Sequence, residues 1–98
     1  MKEMTAKEVG ALIKKEKELN IVDVREDDEI VQGKIPGAIH ILLGAVELRM
    51  NELDKSKEYI MVCRSGGRSG HAAEFLASQG YQVINMQDGM LAWEGEVE

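Results

Sequence analysis

The 98 residues, of which 44% are hydrophobic and 31% charged, suffice for one small globular domain over residues 1–98 but not for a second core. The net charge of −6 argues against nucleic acid or an anionic membrane as a partner, and the single cysteine excludes an internal disulfide and a cysteine-rich zinc site. Because no apolar run approaches the ~18 residues of a membrane span and no apolar signal segment opens the sequence, we expect a soluble, cytoplasmic protein.

The first half of the chain alternates between helical and strand patterns. Thr5 and Glu8 have the spacing of a capping box, and the apolar residues after them recur at helical spacing. The β-branched run 21–24 predicts a strand buried on both faces, as in a parallel sheet. The acidic run 26–29 favours the start of a short helix. In order, the predicted elements are a helix over about 6–16, a turn at 19–20, a strand over 21–24, a short helix from 26, a turn over 33–37, a strand over 38–41 and a helix over 44–53.

The second half continues the alternation and contains the only cysteine, Cys63. The apolar run 59–62 predicts a strand that leads directly into Cys63, and Gly80 is typical of the residue after a helix C-terminus. The predicted elements are an exposed loop over 54–57, a strand over 59–62, a helix over 70–79, a strand over 81–85 and a turn into a last short helix over 88–93. This order indicates an α/β fold, with a mostly parallel central sheet of about four to five strands and helices on both faces.

One edge of the predicted sheet collects the polar and reactive side chains. Ligands gather at the carboxyl ends of the strands in a parallel sheet. Cys63 directly follows one predicted strand, Asp23 and Arg25 stand at the end of another, and Asp88 follows the last. These side chains can therefore converge, which makes this edge the candidate site.

The loop after Cys63 is suited to a reactive thiol. A free thiol with a pKa of ~8.5 is mostly protonated at neutral pH, but a helix N-terminus and nearby cations lower that pKa. Gly66 and Gly67 allow backbone N–H groups to turn inward as an anion cradle, and Arg64 and Arg68 add positive charge. We therefore predict that Cys63 is a thiolate nucleophile rather than a small buried hydrophobe that ends a strand. The predicted anion-binding residues are Arg64, Ser65, Gly66, Gly67, Arg68 and Ser69.

Four stretches of the sequence resemble motifs of the single-domain rhodaneses, a family of sulfurtransferases. Cys63 and Arg68 are separated by four residues, as in that family's loop, and Ser69 follows. The other three stretches are Asp23-Val24-Arg25-Glu26, Gly33-Lys34-Ile35-Pro36-Gly37-Ala38-Ile39 and Asp88-Gly89-Met90-Leu91-Ala92-Trp93. All four occur in the family's order and together cover nearly the whole chain, so the resemblance is highly specific.

The resemblance implies a rhodanese-like fold and a two-step sulfur exchange. The Cys63 thiolate would take a sulfane sulfur from a donor such as thiosulfate and become a persulfide. Cyanide in the laboratory, or a thiol or protein acceptor, would then remove the outer sulfur. The backbone amides of 64–69 would stabilise the persulfide, and the side chains of Arg64 and Arg68 would hold a small anionic donor.

The resemblance also implies what surrounds this loop. Asp23 and Arg25 match motif positions, where they would support the site, and Arg25 could serve as a secondary anion contact. We expect no cofactor, no metal and a monomer. Two distant histidines and one cysteine make no metal site. We expect His71 to face solvent or to cap the loop, and His40 to be structural.

The sequence departs from the family pattern at three places. Lys34 replaces the family's usual histidine, and Leu42 and Leu43 stand where a proline often follows the second strand. Asp88 replaces the first glycine of the last motif, where its charge could lie near the pocket rim and disfavour dianionic donors. None of these changes falls within the Cys63 loop, so they bear on donor preference and rate.

Two other functions use the same residues. A Cys-dependent phosphatase or arsenate reductase needs a similar oxyanion pocket, but its loop has five residues between cysteine and arginine, whereas this chain has four and position 69 is serine. A persulfide carrier or binding module for a protein partner would share every residue named above.

Overall fold

The structure is a computed structural model that describes residues 2–15 and 18–98. Its strands are Lys2–Met4 (β1), Asn20–Asp23 (β2), Ile39–His40 (β3), Glu58–Val62 (β4) and Gln82–Met86 (β5). Its α-helices are Ala6–Lys15 (α1), Asp27–Ile30 (α2), Val46–Arg49 (α3) and Gly67–Ser78 (α4). Three short 3₁₀ turns span Leu43–Ala45, Met50–Glu52 and Met90–Ala92. None of the helices described is long and apolar enough to cross a bilayer.

The five strands form one sheet in the order β1-β5-β4-β2-β3, and every pair is parallel. This arrangement confirms the predicted α/β fold with its parallel sheet. β1 was not predicted, because it has only three residues and two of them, Lys2 and Glu3, are exposed on the sheet edge. Its register places Glu3 beside Asn85 of β5.

The core consists of two apolar layers, one on each face of the sheet. Successive strand residues point to opposite faces, so β4 contributes to both layers. The layer under α4 contains Met61, Cys63, Ala72, Leu76, Val83 and Ile41. The layer under α1 contains Val9, Ile35, Ile60, Val62, Ile84 and Met86. Cys63 therefore extends β4 on the α4 side, next to the N-terminus of that helix.

Several predicted boundaries change. The predicted helix over 44–53 is divided into two 3₁₀ turns around the single α-helical turn of α3, because only Val46 of that turn is buried and no continuous apolar face sustains it. The last predicted helix is a 3₁₀ turn, and α4 begins at Gly67, earlier than predicted. The capping box at Thr5 and Glu8 is present in both directions, and position 16 of the first predicted helix lies outside the described residues.

Candidate active site

The Cys63 side chain is enclosed by the turn that leads into α4. Its Sγ accepts a hydrogen bond from the Gly66 N–H at 3.1 Å, and the Ser69 Oγ lies 3.3 Å from the same sulfur. Gly66 is the N-cap of α4 and adopts a φ of +96°, a left-handed conformation that glycine reaches without strain. Cys63 and Ser69 are both completely buried. The sulfur therefore faces the positive end of a 12-residue helix.

Hydrogen bonds outweigh burial in setting the ionisation of Cys63. Burial alone raises the pKa of the thiol, because it disfavours the charged form. The Ser69 hydroxyl, together with the backbone N–H groups of Ser69, Gly66 and Ser65, lowers that pKa, and the net result is a pKa below the ordinary value. This is the direction expected for a thiol that the loop stabilises as a thiolate.

Two glycines let the Cys63 loop and the turn after β5 approach each other closely. A Cβ on Gly66 would lie 1.9 Å from the backbone oxygen of Gln87. A Cβ on Gly89, where φ is +66°, would lie 2.2 Å from the backbone oxygen of Arg64. Neither distance is possible for a real side chain, so both positions require glycine. Gly89 belongs to the motif that follows the last strand, and its lack of a side chain allows that turn to pack against the Cys63 loop.

Backbone hydrogen bonds join the same two segments. The Met90 N–H donates to the Cys63 carbonyl at 2.8 Å, and the Leu91 N–H donates to the Arg64 carbonyl at 3.0 Å. The carbonyl groups of Cys63 and Arg64 are thus engaged by the turn after β5. The N–H groups that follow in the chain remain free to point toward Sγ, as an anion cradle requires.

Arg68 is engaged in an ion pair rather than free to bind a donor. Its Nη1 and Nη2 donate to the two carboxylate oxygens of Glu29 at 2.7 and 2.8 Å. The hydrogen bonds from Arg68 lower the pKa of Glu29 to about 2, and the carboxylate in turn raises the pKa of Arg68. This arrangement differs from the expected contact of Arg68 with an anionic donor. Glu29 was missed in the sequence because its partner lies 39 residues away.

Arg64 and Arg25 lie in different environments. Arg64 is exposed and has no acidic partner among the described residues. It lines a cavity of about 470 Å³ with Arg25, Glu29, Gln32 and Leu91. Arg25 is buried, and its guanidinium donates to both carboxylate oxygens of Asp23 and to the Gly33 carbonyl. Of the two arginines, Arg64 is therefore the one available to bind an anion. The geometry favours a supporting role for Asp23 and Arg25 over contact with an anion.

Two of the residues that depart from the family pattern, Asp88 and Lys34, have structural partners. Asp88 accepts a hydrogen bond from the Ala6 N–H at 2.7 Å, so its carboxylate serves the start of α1 rather than standing free at a pocket rim. Lys34 pairs with Glu98 and also donates to the Ala38 carbonyl.

The histidines lie apart from the sulfur. The Nε2 of His40 lies 2.6 Å from the Arg25 carbonyl oxygen, a structural contact. His71 is exposed on α4.

Asn85 is a second residue of the site that the sequence did not indicate. It lies on β5 with 3% of its surface exposed, and it contacts both Ser69 and the backbone of Gly66. The signal available in the sequence is a single amide within the otherwise apolar run 83–86. A buried polar side chain requires hydrogen-bond partners, and here the Cys63 loop provides them.

Comparison with known proteins places this geometry in a family. A family model described as "Rhodanese-like domain" matches residues 5–96. The putative sulfurtransferase YtwF of Bacillus subtilis is 43% identical over 100% of this chain and 95% of that protein. The putative sulfur carrier protein YrkF of the same organism is 48% identical over 82% of this chain and 44% of that protein. The crystal structure of SSP1007 from Staphylococcus saprophyticus superposes with a TM-score of 0.95 at 33% identity, covering 100% of this chain and 99% of that one.

Proposed function

The chain belongs to the rhodanese-like family, and we propose that it is a sulfurtransferase in which Cys63 carries the transferred sulfur as a persulfide. The observation that carries this proposal is the position of Sγ. It lies at the N-terminus of α4, 3.1 Å from the Gly66 N–H, where a thiolate or a persulfide anion is stabilised.

The first step loads the cysteine. The Cys63 thiolate attacks the outer sulfur of thiosulfate, a new S–S bond forms at Sγ, and the original S–S bond breaks. Sulfite leaves with the electron pair of that bond, and a cysteine persulfide remains. The exposed guanidinium of Arg64 supplies local positive charge for the anionic donor, which the net charge of −6 would otherwise repel.

The second step returns the sulfur to an acceptor. Cyanide, or the thiolate of a small molecule or protein, attacks the outer sulfur of the persulfide. The persulfide S–S bond breaks and its electron pair returns to Sγ, so the Cys63 thiolate is regenerated. The amide of Gly66 then stabilises the departing thiolate as it stabilised the persulfide.

The Arg68–Glu29 pair argues against the phosphatase alternative. A phosphate-binding loop needs an arginine free to bind the phosphoryl oxygens in a bidentate manner. Both terminal nitrogens of Arg68 are already occupied by a carboxylate, and the loop is one residue shorter than a phosphatase loop.

A persulfide carrier is the second candidate, and the relationship to a protein named as a putative sulfur carrier favours it. A carrier would load Cys63 in the same way but would release sulfur only to a protein thiol. Small-molecule turnover therefore distinguishes the two functions.

Intact-mass analysis tests the proposal. Exposure to thiosulfate is expected to add one sulfur atom to the wild-type chain and none to the Cys63→Ser variant, since the chain has no other cysteine. Addition of cyanide should release thiocyanate and restore the original mass. Loading that only a protein thiol reverses would indicate the carrier. Absence of loading with any sulfane donor, or hydrolysis of an aryl phosphate that Cys63→Ser abolishes, would contradict sulfur transfer.

A further inference from the structure

Asn85 lies behind the reactive loop and is not used by the steps above. Its Oδ1 is 2.6 Å from the Ser69 Oγ, and its Nδ2 is 3.1 Å from the Gly66 carbonyl oxygen. Ser69 and Asn85 are both buried, so neither exchanges these contacts for water. The same Ser69 oxygen is 3.3 Å from the Cys63 Sγ.

The orientation of the Asn85 amide is fixed by its neighbours. The Gly66 carbonyl can only accept a hydrogen bond, so the NH₂ group must face it. The Oε2 of Glu3, on the neighbouring strand β1, lies 3.5 Å from the same Nδ2 and favours the same orientation. A flipped amide would place its oxygen against the carbonyl oxygen of Gly66. The Oδ1 atom therefore faces Ser69.

The Ser69 hydroxyl has one hydrogen and three acceptors around it. Cys63 Sγ and the Gly66 oxygen are each 3.3 Å away, whereas Asn85 Oδ1 is 2.6 Å away. The Gly66 oxygen already receives the Gly70 N–H and the Asn85 amide. An O–H···O distance of 2.6 Å is at the short end of the usual range, so the hydrogen lies toward Asn85. The lone pairs of Ser69 then face the sulfur.

We propose that Asn85 is a positioning residue for the sulfur-transfer site: it competes with Cys63 for the single hydroxyl hydrogen of Ser69. While Cys63 is a thiol, Ser69 donates to Asn85 and can accept the S–H hydrogen. When Cys63 is a thiolate or a persulfide anion, the hydroxyl turns and donates to sulfur, and Asn85 Oδ1 loses its partner. Asn85 therefore limits how far Ser69 can stabilise the sulfur anion. This role rests on the proposed sulfur transfer.

Replacement of Asn85 tests the competition. Asn85→Leu removes the competing acceptor while keeping the branching and the number of side-chain heavy atoms, so the Ser69 hydrogen becomes available to the thiolate. The thiol titration, measured as near-ultraviolet thiolate absorbance against a Cys63→Ser blank of the same background, is expected to shift by about one pH unit toward acid. Ser69→Ala is expected to shift it toward alkali. In the Ser69→Ala background, Asn85→Leu is expected to have no further effect, because the hydrogen is absent.

Asn20→Leu is the matched control. Asn20 lies at the amino end of β2, the opposite edge of the sheet, where its amide also donates to a backbone carbonyl, that of Glu58. This control should leave the Cys63 titration unchanged. If Asn85→Leu does not fold, as judged by circular dichroism, Asn85→Ser provides a second variant, since serine is too short to keep the 2.6 Å contact with Ser69.

The outcomes separate the two proposals. No acid shift in the folded Asn85 variant, or an equal shift with and without the Ser69 hydroxyl, overturns the role of Asn85. The titration uses no sulfur donor, so it does not depend on turnover. Failure of the wild-type chain to gain sulfur from any donor contradicts sulfur transfer while the titration still reports on the competition.

Discussion

At the scale of single residues, the site depends on which hydrogen-bond partners are already engaged. Three carboxylates near the site already have partners. Asp23 accepts from the Arg25 guanidinium, Glu29 accepts from the Arg68 guanidinium, and Asp88 accepts from the Ala6 N–H. The sulfur is left with donors that belong to the backbone and to one hydroxyl. The candidate nucleophile is therefore activated by the geometry of the loop, and the ionisable side chains nearby hold that geometry in place.

The Glu29–Arg68 pair should make stability depend on pH. Glu29 has a pKa of about 2 when folded and near 4.5 when unfolded, so the pair stabilises the fold fully above pH ~4.5 and loses this contribution as pH falls toward 2. Because the pair is partly exposed, we expect Glu29→Gln to cost about 1–2 kcal/mol at pH 7. Urea unfolding at several pH values should show this difference disappearing near pH 2. A difference that persists in acid would contradict the ion-pair origin.

Sequence reasoning singled out the Cys63 loop but not the side chains that reach it from elsewhere in the chain. The Cys63 loop could be predicted because its glycines, arginines and flanking elements are contiguous. Asn85 and Glu29 could not be predicted, because they are 16 and 39 residues away in the sequence from the loop residues that they contact. They meet these residues only in the folded chain. The pairing of Arg68 with Glu29 could not be predicted for the same reason, since the carboxylate is distant in the sequence.

At the scale of elements, the site is formed where the turn before α4 meets the turn after β5. The parallel sheet and α4 could be predicted from apolar runs and turn residues. β1 could not, because three mostly polar residues form a strand only when β5 offers an edge to pair with. The 3₁₀ turns around α3 likewise could not be predicted, because the pattern over 44–53 does not show that only Val46 of α3 is buried.

A pair of glycine variants tests the contact between these turns. Gly37 and Gly66 both have positive φ, but a Cβ on Gly37 meets nothing within 4 Å, whereas one on Gly66 meets the Gln87 backbone. Gly37→Ala should cost only the conformational strain of about 1 kcal/mol, and Gly66→Ala about 2–4 kcal/mol. Thermal unfolding and persulfide loading measure both. Equal costs in the two variants would show that the turns do not restrain each other.

At the scale of the whole molecule, the proposed anionic donor would approach a protein of net negative charge. The net charge of −6 would repel the proposed donor, thiosulfate, at long range, and Arg64 would attract it at short range. The two effects oppose each other, so activity of the wild-type protein should depend only weakly on salt.

Without the positive charge of Arg64, the repulsion by the net negative charge of the protein should be unopposed. Arg64→Gln is expected to lower kcat/KM for thiosulfate several-fold, and the remaining activity should rise with salt as repulsion is screened over ~10 Å at 0.1 M. Arg49→Gln removes a charge that is paired with Glu52, and it serves as the matched control. Steady-state kinetics at several ionic strengths provide the measurement. Activity of Arg64→Gln that falls with added salt would contradict this account.

The contact between the two turns also affects when, during synthesis, the surroundings of Cys63 are completed. Cys63 emerges from the ribosome before Asn85 and before the turn at 87–91 that holds its loop. Long-range parallel pairing, such as that of β1 with β5, forms late because it closes most of the chain. A nascent chain therefore lacks the contacts of Asn85 and of the turn at 87–91 until β5 joins the sheet. We therefore expect the surroundings of Cys63 to be complete only when the last strand has paired.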